Sequence, residues 1–171
     1  MKNKKVLLIY ASETGNTADI ARRIAAAFGS GTVDLRPVSE LTAGEISPYP
    51  YLIFGTPTWG SGEFHDDFFV FTKRNARELD LEGKKIALFG LGDQKYYGDT
   101  FVNGMRQLYD FLIDKGAEII GSVSTQGYDF SGSEAVIDGR FVGLPVDEEN
   151  QSEKSDERIR RWVTELQKHF I

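Results

Sequence analysis

The stretch S-E-T-G-N-T, Ser12–Thr17, decides how the rest of the chain is read. It follows the apolar run V-L-L-I-Y, Val6–Tyr10, and opens a segment, Thr17–Phe28, in which Ile20, Ala21, Ile24, Ala25 and Phe28 share one helical stripe. A continuously apolar run reads as a strand buried on both faces. The stretch is therefore a strand-to-helix turn, where backbone N–H groups and the helix dipole favour an anion. Ser12, Thr14 and Thr17 add hydroxyls, Asn16 adds an amide, and Gly15 lets the backbone approach closely. One hydroxyl would signify only an ordinary helix cap. This density of side-chain donors after the first strand predicts a phosphate site. The lysine and spacing of G-x-x-x-x-G-K-[ST] are absent, and so is G-x-G-x-x-G. A phosphate to be transferred needs a cation at the developing charge. With neutral donors alone, the loop is suited to anchoring a phosphate monoester. Glu13, its one charged side chain, is expected to point to solvent.

The chain has 171 residues, enough for one domain spanning residues 1–171. It has no cysteine, which excludes disulfides, thiolate metal sites and thiol catalysis. The net charge is −6, and the pI of about 5.0 disfavours a nucleic-acid partner. The start M-K-N-K-K followed by V-L-L-I-Y is too short an apolar run for a signal core or membrane span. A cytoplasmic protein with no membrane association is expected.

Strands are predicted at Val33–Val38, Tyr51–Thr56, Lys85–Leu91 and from Glu118 to Val123. Helices are predicted at Glu63–Asn75, with the stripe Phe64, Phe68 and Phe71, at Phe101–Lys115, and at Ser155–Phe170 with Ser155 as N-cap. Repeated β–α alternation argues a parallel sheet covered by helices on both faces. Residues 121–145 break the pattern with Gly, Asp and Ser, although Arg140–Val146 reads as a strand. This is an insertion inside or beside the fifth strand. His65 and His169 are expected at the surface.

Ligands of open α/β sheets sit beyond the carboxyl ends of strands. Two more loops fall there: T-P-T-W-G-S-G-E, Thr56–Glu63, and G-L-G-D-Q-K-Y-Y-G-D, Gly90–Asp99. Trp59 beside Gly60 and Gly62 could stack on a flat heterocycle. A tyrosine of the third loop could cover its other face. Asp93 is a candidate acceptor for a ring N–H, or else an ordinary turn residue.

Together these residues resemble the flavodoxins of the long-chain type, from end to end. The first loop is similar to that family's [ST]-x-T-G-x-T, and T-P-T-W and G-x-G-D-Q-x-x-Y follow in order. So do S-T-Q-G-Y-D-F-S-G-S, Ser124–Ser133, and G-R-F-V-G-L-P-V-D-E-E-N-Q-S, Gly139–Ser152. The resemblance implies a three-layer, doubly wound α/β fold with a five-stranded sheet in the order 2-1-3-4-5, binding FMN non-covalently. It implies that Ser12, Glu13, Thr14, Gly15, Asn16 and Thr17 wrap the phosphate. Trp59 and Tyr97, the latter rather than Tyr96, would sandwich the isoalloxazine. Pro57, Thr58, Gly60, Gly62, Leu91, Gly92, Asp93 and Asp99 would line the flavin or ribityl chain. Glu149 stands at a ribityl-contacting position where relatives carry Asp.

The implied function is that of a monomeric, low-potential one-electron carrier, not an enzyme. It would work through semiquinone and hydroquinone states, with a peptide turning after Trp59 at Gly60–Ser61. Acids at Asp93, Asp99, Glu63, Asp66 and Asp67 would oppose added negative charge. They would also steer basic partners, such as flavodoxin or ferredoxin reductases and low-potential oxidoreductases. The enzymatic alternative is an FMN-dependent quinone or nitro reductase on the same fold. A module of a larger reductase is less expected, because the chain starts at Met1 and ends with a helix at Ile171.

Overall fold

The computed structural model describes residues 5–12, 14–58 and 62–170. Its main sheet is parallel. Strand β1 (Val6–Tyr10) pairs with β2 (Val33–Pro37) on one side and β3 (Tyr51–Thr56) on the other, and β4 (Lys85–Leu91) follows β3. The outer edge of β4 carries two short parallel strands, β5 (Glu118–Ile120) and β9 (Leu144–Val146). Lys85–Ala87 pair with the first, and Phe89–Leu91 with the second. The order β2-β1-β3-β4-β5 is the one expected. The insertion thus lies inside the fifth strand position, which the chain leaves after Ile120 and regains at Leu144.

Side chains alternate across the sheet and build two cores. Val6, Leu8 and Ile53 face α1 (Asn16–Phe28) and α5 (Ser152–His169), meeting Ile20, Ile24, Trp162 and Leu166. Leu7, Ile9 and Phe54 face α3 (Asp66–Asn75) and α4 (Asn103–Asp114), meeting Phe68, Phe71, Met105 and Leu108. The short α2 (Ala43–Ile46) was not anticipated, although Thr42 and Glu45 form a capping box that the spacing T-x-x-E announces.

Several predicted boundaries move for local reasons. Strand β2 stops at Pro37, and Val38–Glu40 form a 3-10 turn. Helix α3 starts at Asp66 because His65 caps it, its Nδ1 accepting the Asp67 N–H at 3.0 Å. Phe64 therefore precedes the helix, stacked on Phe68 at 6.1 Å. His65 is 3% exposed, against the surface position expected, while His169 is exposed. Helix α4 starts at Asn103 because Val102 is left-handed, with φ of 50°. Helix α5 starts at Ser152, so Ser155 is not a cap; it is buried within the helix and donates to the Glu148 carboxylate. Arg140–Val146 is not one strand: Gly143 passes β4 so closely that a Cβ there would lie 2.1 Å from the Leu88 carbonyl oxygen.

The insertion folds on its own small antiparallel sheet, in the order β6 (Val123–Ser124), β8 (Arg140–Phe141), β7 (Val136–Ile137). Asp138 and Gly139, both at positive φ, make the tight hairpin turn between β7 and β8. Phe101, Tyr128, Phe130 and Phe141 pack ring against ring beneath it.

Candidate functional site

The order of strands reverses between β1 and β3, and a cleft of about 420 Å³ opens beyond their carboxyl ends. The three predicted loops meet there. Thr14, Asn16 and Thr17 line it from the first, Pro57 and Thr58 from the second, and Leu91, Gly92, Asp93 and Tyr97 from the third. Glu149 joins them. Ser12 and Gly15 shape the first loop without lining the cleft, Gly62 is buried beside it, and Asp99 is an exposed residue outside it. Glu13, Trp59 and Gly60 lie outside the described residues, as does Ser61.

The first loop is folded by Ser12. Its Oγ accepts the N–H of Gly15 at 3.1 Å and of Ala18 at 3.3 Å, drawing the chain into the first turn of α1. Gly15 sits at φ 92° with no atom near its would-be Cβ, so backbone conformation and not space requires glycine. Among the described residues, the N–H groups of Asn16 and Thr17 make no hydrogen bond. Thr17 is only 2% exposed, yet its hydroxyl has no partner there either, and the side chain lines the cleft. A cleft-lining hydroxyl and two neighbouring amide donors at a helix start suit an anion.

The second loop rests on α4. The Thr58 Oγ1 accepts the Gly104 N–H at 3.2 Å, and the Phe64 N–H donates to Gln107 Oε1 at 2.9 Å. A Cβ on Gly104 would stand 2.8 Å from the Pro57 carbonyl oxygen. The Thr56 hydroxyl accepts the His65 N–H and donates to the Pro57 carbonyl. Gly104 and Gln107 were missed in the sequence, where an isolated glycine in a helical pattern was the available signal of close approach.

In the third loop, the Asp93 Oδ1 accepts from the N–H groups of Lys95 and Tyr96, each at 3.0 Å, and from Asn150 Nδ2 at 2.8 Å. Partial burial pushes the Asp93 carboxyl up, but the hydrogen bonds from Tyr96, Asn150 and Lys95 outweigh it and hold the group below the usual carboxylate range. Asp93 is thus a turn residue that also lines the cleft. Tyr97 is 57% exposed and lines the cleft, whereas Tyr96, 75% exposed, does not.

A buried carboxylate braces this loop. Asp147 is 0% exposed, and its Oδ2 accepts from the Gln94 N–H at 3.0 Å and Gln94 Nε2 at 2.7 Å. Its Oδ1 accepts the Asn150 N–H at 3.0 Å. Thr100, Phe101, Val102 and Glu148 complete the lining and were not foreseen. Glu148 is paired with Arg23 of α1 at 3.4 Å, and Arg23 also holds Asp156 at 2.7 Å. Among the described residues, the cleft lining thus contains the carboxylates of Asp93, Glu148 and Glu149 and no lysine or arginine.

Fold and site together define a doubly wound α/β protein whose cleft presents neutral donors at a helix start and an exposed tyrosine. The model of the flavodoxin family matches residues 8–162. The chain is 39% identical over 169 residues to a flavodoxin of Nostoc sp., covering 98% of both chains. It is 38% identical over 170 residues to flavodoxin 1 of Azotobacter vinelandii, again covering 98% of each. The crystal structure of Fusobacterium nucleatum flavodoxin bound to flavin mononucleotide superposes with a TM-score of 0.92 at 34% identity, covering 98% of this chain and 99% of that one. The chain belongs to the flavodoxin family.

Proposed function

We propose that this protein is a single-domain, low-potential one-electron carrier that uses non-covalently bound FMN. The observation that carries the reading is the set of neutral donors at the start of α1 that make no hydrogen bond among the described residues, in a cleft that also presents Tyr97. These residues fit the group: a phosphate monoester matches the amides and hydroxyl, and a flat ring matches an exposed aromatic side chain. Ser12 keeps the loop folded, while Thr14, Asn16 and Thr17 hold the phosphate. Thr58, Gly92, Asp93 and Glu149 border the rest of the molecule, and Tyr97, with Trp59, covers the ring. When bound, the isoalloxazine supplies the chemistry, taking up and releasing electrons one at a time.

The chain's own contribution is electrostatic and steric. Aromatic cover limits water at the ring. The carboxylates of Asp93, Glu148 and Glu149, with no lysine or arginine in the described lining, oppose the arrival of negative charge. Arg23 blunts this effect only at Glu148. The phosphate is tethered and not transferred, because no cation stands in the described part of the loop.

The net charge of −6 favours transient partners with basic faces, such as reductases and low-potential oxidoreductases, met by a monomer. The absence of cysteine suits a cytoplasmic setting. Among the described residues, no helix is long and apolar enough to cross a membrane.

The test is titration of the apoprotein with FMN. Quenching of flavin fluorescence at one FMN per chain is the expected result, together with reduction of the bound flavin by an added reductase. Failure to bind FMN, or steady NAD(P)H oxidation by this protein alone with a quinone, would overturn the reading.

A further inference from the structure

A second cleft, of about 500 Å³, lies between the insertion and α5 and shares no lining residue with the first. Its charge is reversed. Arg140, Lys154, Arg158 and Arg161 line it together with two carboxylates, Glu157 and Glu165, in a chain whose net charge is −6. Both carboxylates are engaged: Glu157 holds Arg161 at 2.6 Å, and Glu165 holds Lys168 at 2.8 Å. Among the described residues, Arg140, Lys154 and Arg158 pair with no carboxylate.

The two unpaired guanidinium groups are nonetheless fixed in place. Arg140 donates from Nε to the Ser122 hydroxyl at 3.0 Å and from Nη2 to the Ser122 carbonyl at 3.1 Å. Arg158 donates from Nη1 to Gln151 Oε1 at 2.8 Å and from Nη2 to the Gly127 carbonyl at 2.9 Å, and its guanidinium carbon lies 3.9 Å from the centre of the Tyr128 ring. Neutral acceptors thus orient both groups without cancelling their charge, and each guanidinium keeps N–H donors to spare. The rest of the cleft is firm. The Trp162 indole donates to the Gly121 carbonyl at 2.8 Å, tying α5 to the end of β5, and the Tyr128 hydroxyl donates to the Pro145 carbonyl at 2.7 Å. Val123, Tyr128, Leu144 and Trp162 supply apolar lining. A preformed cavity of this size, with apolar walls and a few oriented polar groups, is the common form of a small-molecule site.

We propose that this cleft is a second binding site, for a small organic anion with an apolar body. Its oxyanion headgroup, a carboxylate or a phosphate ester, is held by Arg140, Arg158 and Lys154, and its body lies against the apolar lining. Oriented guanidinium groups match either headgroup, and charge-assisted hydrogen bonds supply the selectivity for an anion. The site is independent of the flavin reading, since the two clefts have no residue in common.

The test is an NMR titration of the full chain, loaded with one FMN per chain, that follows the indole N–H of Trp162. The probes are naphthoate and naphthyl phosphate, with naphthalenemethanol as the uncharged control. At least one of the anions should shift the Trp162 signal saturably, the tighter of the two identifying the headgroup, and the alcohol should bind about tenfold more weakly. R140Q should weaken the anion by about tenfold and K154Q by about threefold, while both bind FMN as the wild type does. The Lys154 side chain makes no hydrogen bond among the described residues, so K154Q should unfold in urea at the wild-type midpoint. No saturable shift with either anion, or wild-type anion affinity in both variants, would overturn the proposal. So would inorganic phosphate binding as tightly as the naphthyl anions, which would reduce the cleft to bare charge. Wild-type protein that binds no FMN would overturn the functional reading alone, and the same titration of the apoprotein still decides the second site.

Discussion

Thr17 carries the sharpest single-residue consequence of the phosphate loop. The residue is only 2% exposed, and its hydroxyl makes no hydrogen bond among the described residues, so removing that hydroxyl should cost the fold little. A hydrogen bond to a charged ligand is worth roughly 1.5–3 kcal/mol. T17A should therefore bind FMN about tenfold to a hundredfold more weakly. Riboflavin, which lacks the phosphate, should bind T17A and wild type alike; equal losses for both ligands would remove Thr17 from the phosphate site. Asp93 adds a pH effect. Its carboxyl is held below the usual range, so its contribution to stability is present above the ordinary value and lost as pH falls through the lowered one. In urea unfolding followed down in pH, D93N should lack the part of the acid-induced loss that falls below about pH 4. Identical acid limbs would show that the Asp93 turn does not discriminate between the charged and neutral forms. Ser12–Thr17 was legible in sequence because its geometry is local. Asp147 and Gln94, 53 positions apart, were not, since only the folded chain brings that carboxylate and amide together.

At the scale of elements, the relation between α4 and the second loop is the part sequence alone could not give. The apolar stripe announced the helix, but Val102 in a left-handed conformation delays its start to Asn103. The His65 cap likewise shortens α3, because an imidazole Nδ1 can replace the hydroxyl or carboxylate usually looked for at that position. Gly104 is where the helix meets the loop. Alanine is favoured over glycine in a helix interior by about 1 kcal/mol. Even so, G104A should weaken both FMN and riboflavin, by about tenfold, because its Cβ must displace the Pro57 carbonyl, 2.8 Å away. Fluorescence titration with the two flavins checks this. Unchanged affinities would mean that the loop gives way without moving the site. Loss of both ligands, against loss of FMN alone in T17A, separates the ring end of the cleft from its phosphate end.

At the scale of the molecule, the alternation of apolar runs and amphipathic stripes was enough to specify a parallel sheet with helices on both faces. It did not specify how one sheet edge is shared. Strands β5 and β9 are three residues each and take consecutive halves of β4, so neither has the length that marks a strand in sequence. Between them the chain builds a small sheet over the aromatic cluster of Phe101, Tyr128, Phe130 and Phe141. The segment between β6 and β7 donates hydrogen bonds to the carbonyls of Gly98, in the loop that carries Tyr97, and of Phe101. On the FMN reading, fold and charge converge on one property: a flavin in a cleft whose described lining has three carboxylates and no lysine or arginine. The most direct measurement is a spectroelectrochemical titration of the FMN-loaded protein. The account predicts two resolved one-electron steps, with the second at a potential well below that of free FMN. A single two-electron step at the potential of free FMN would contradict it.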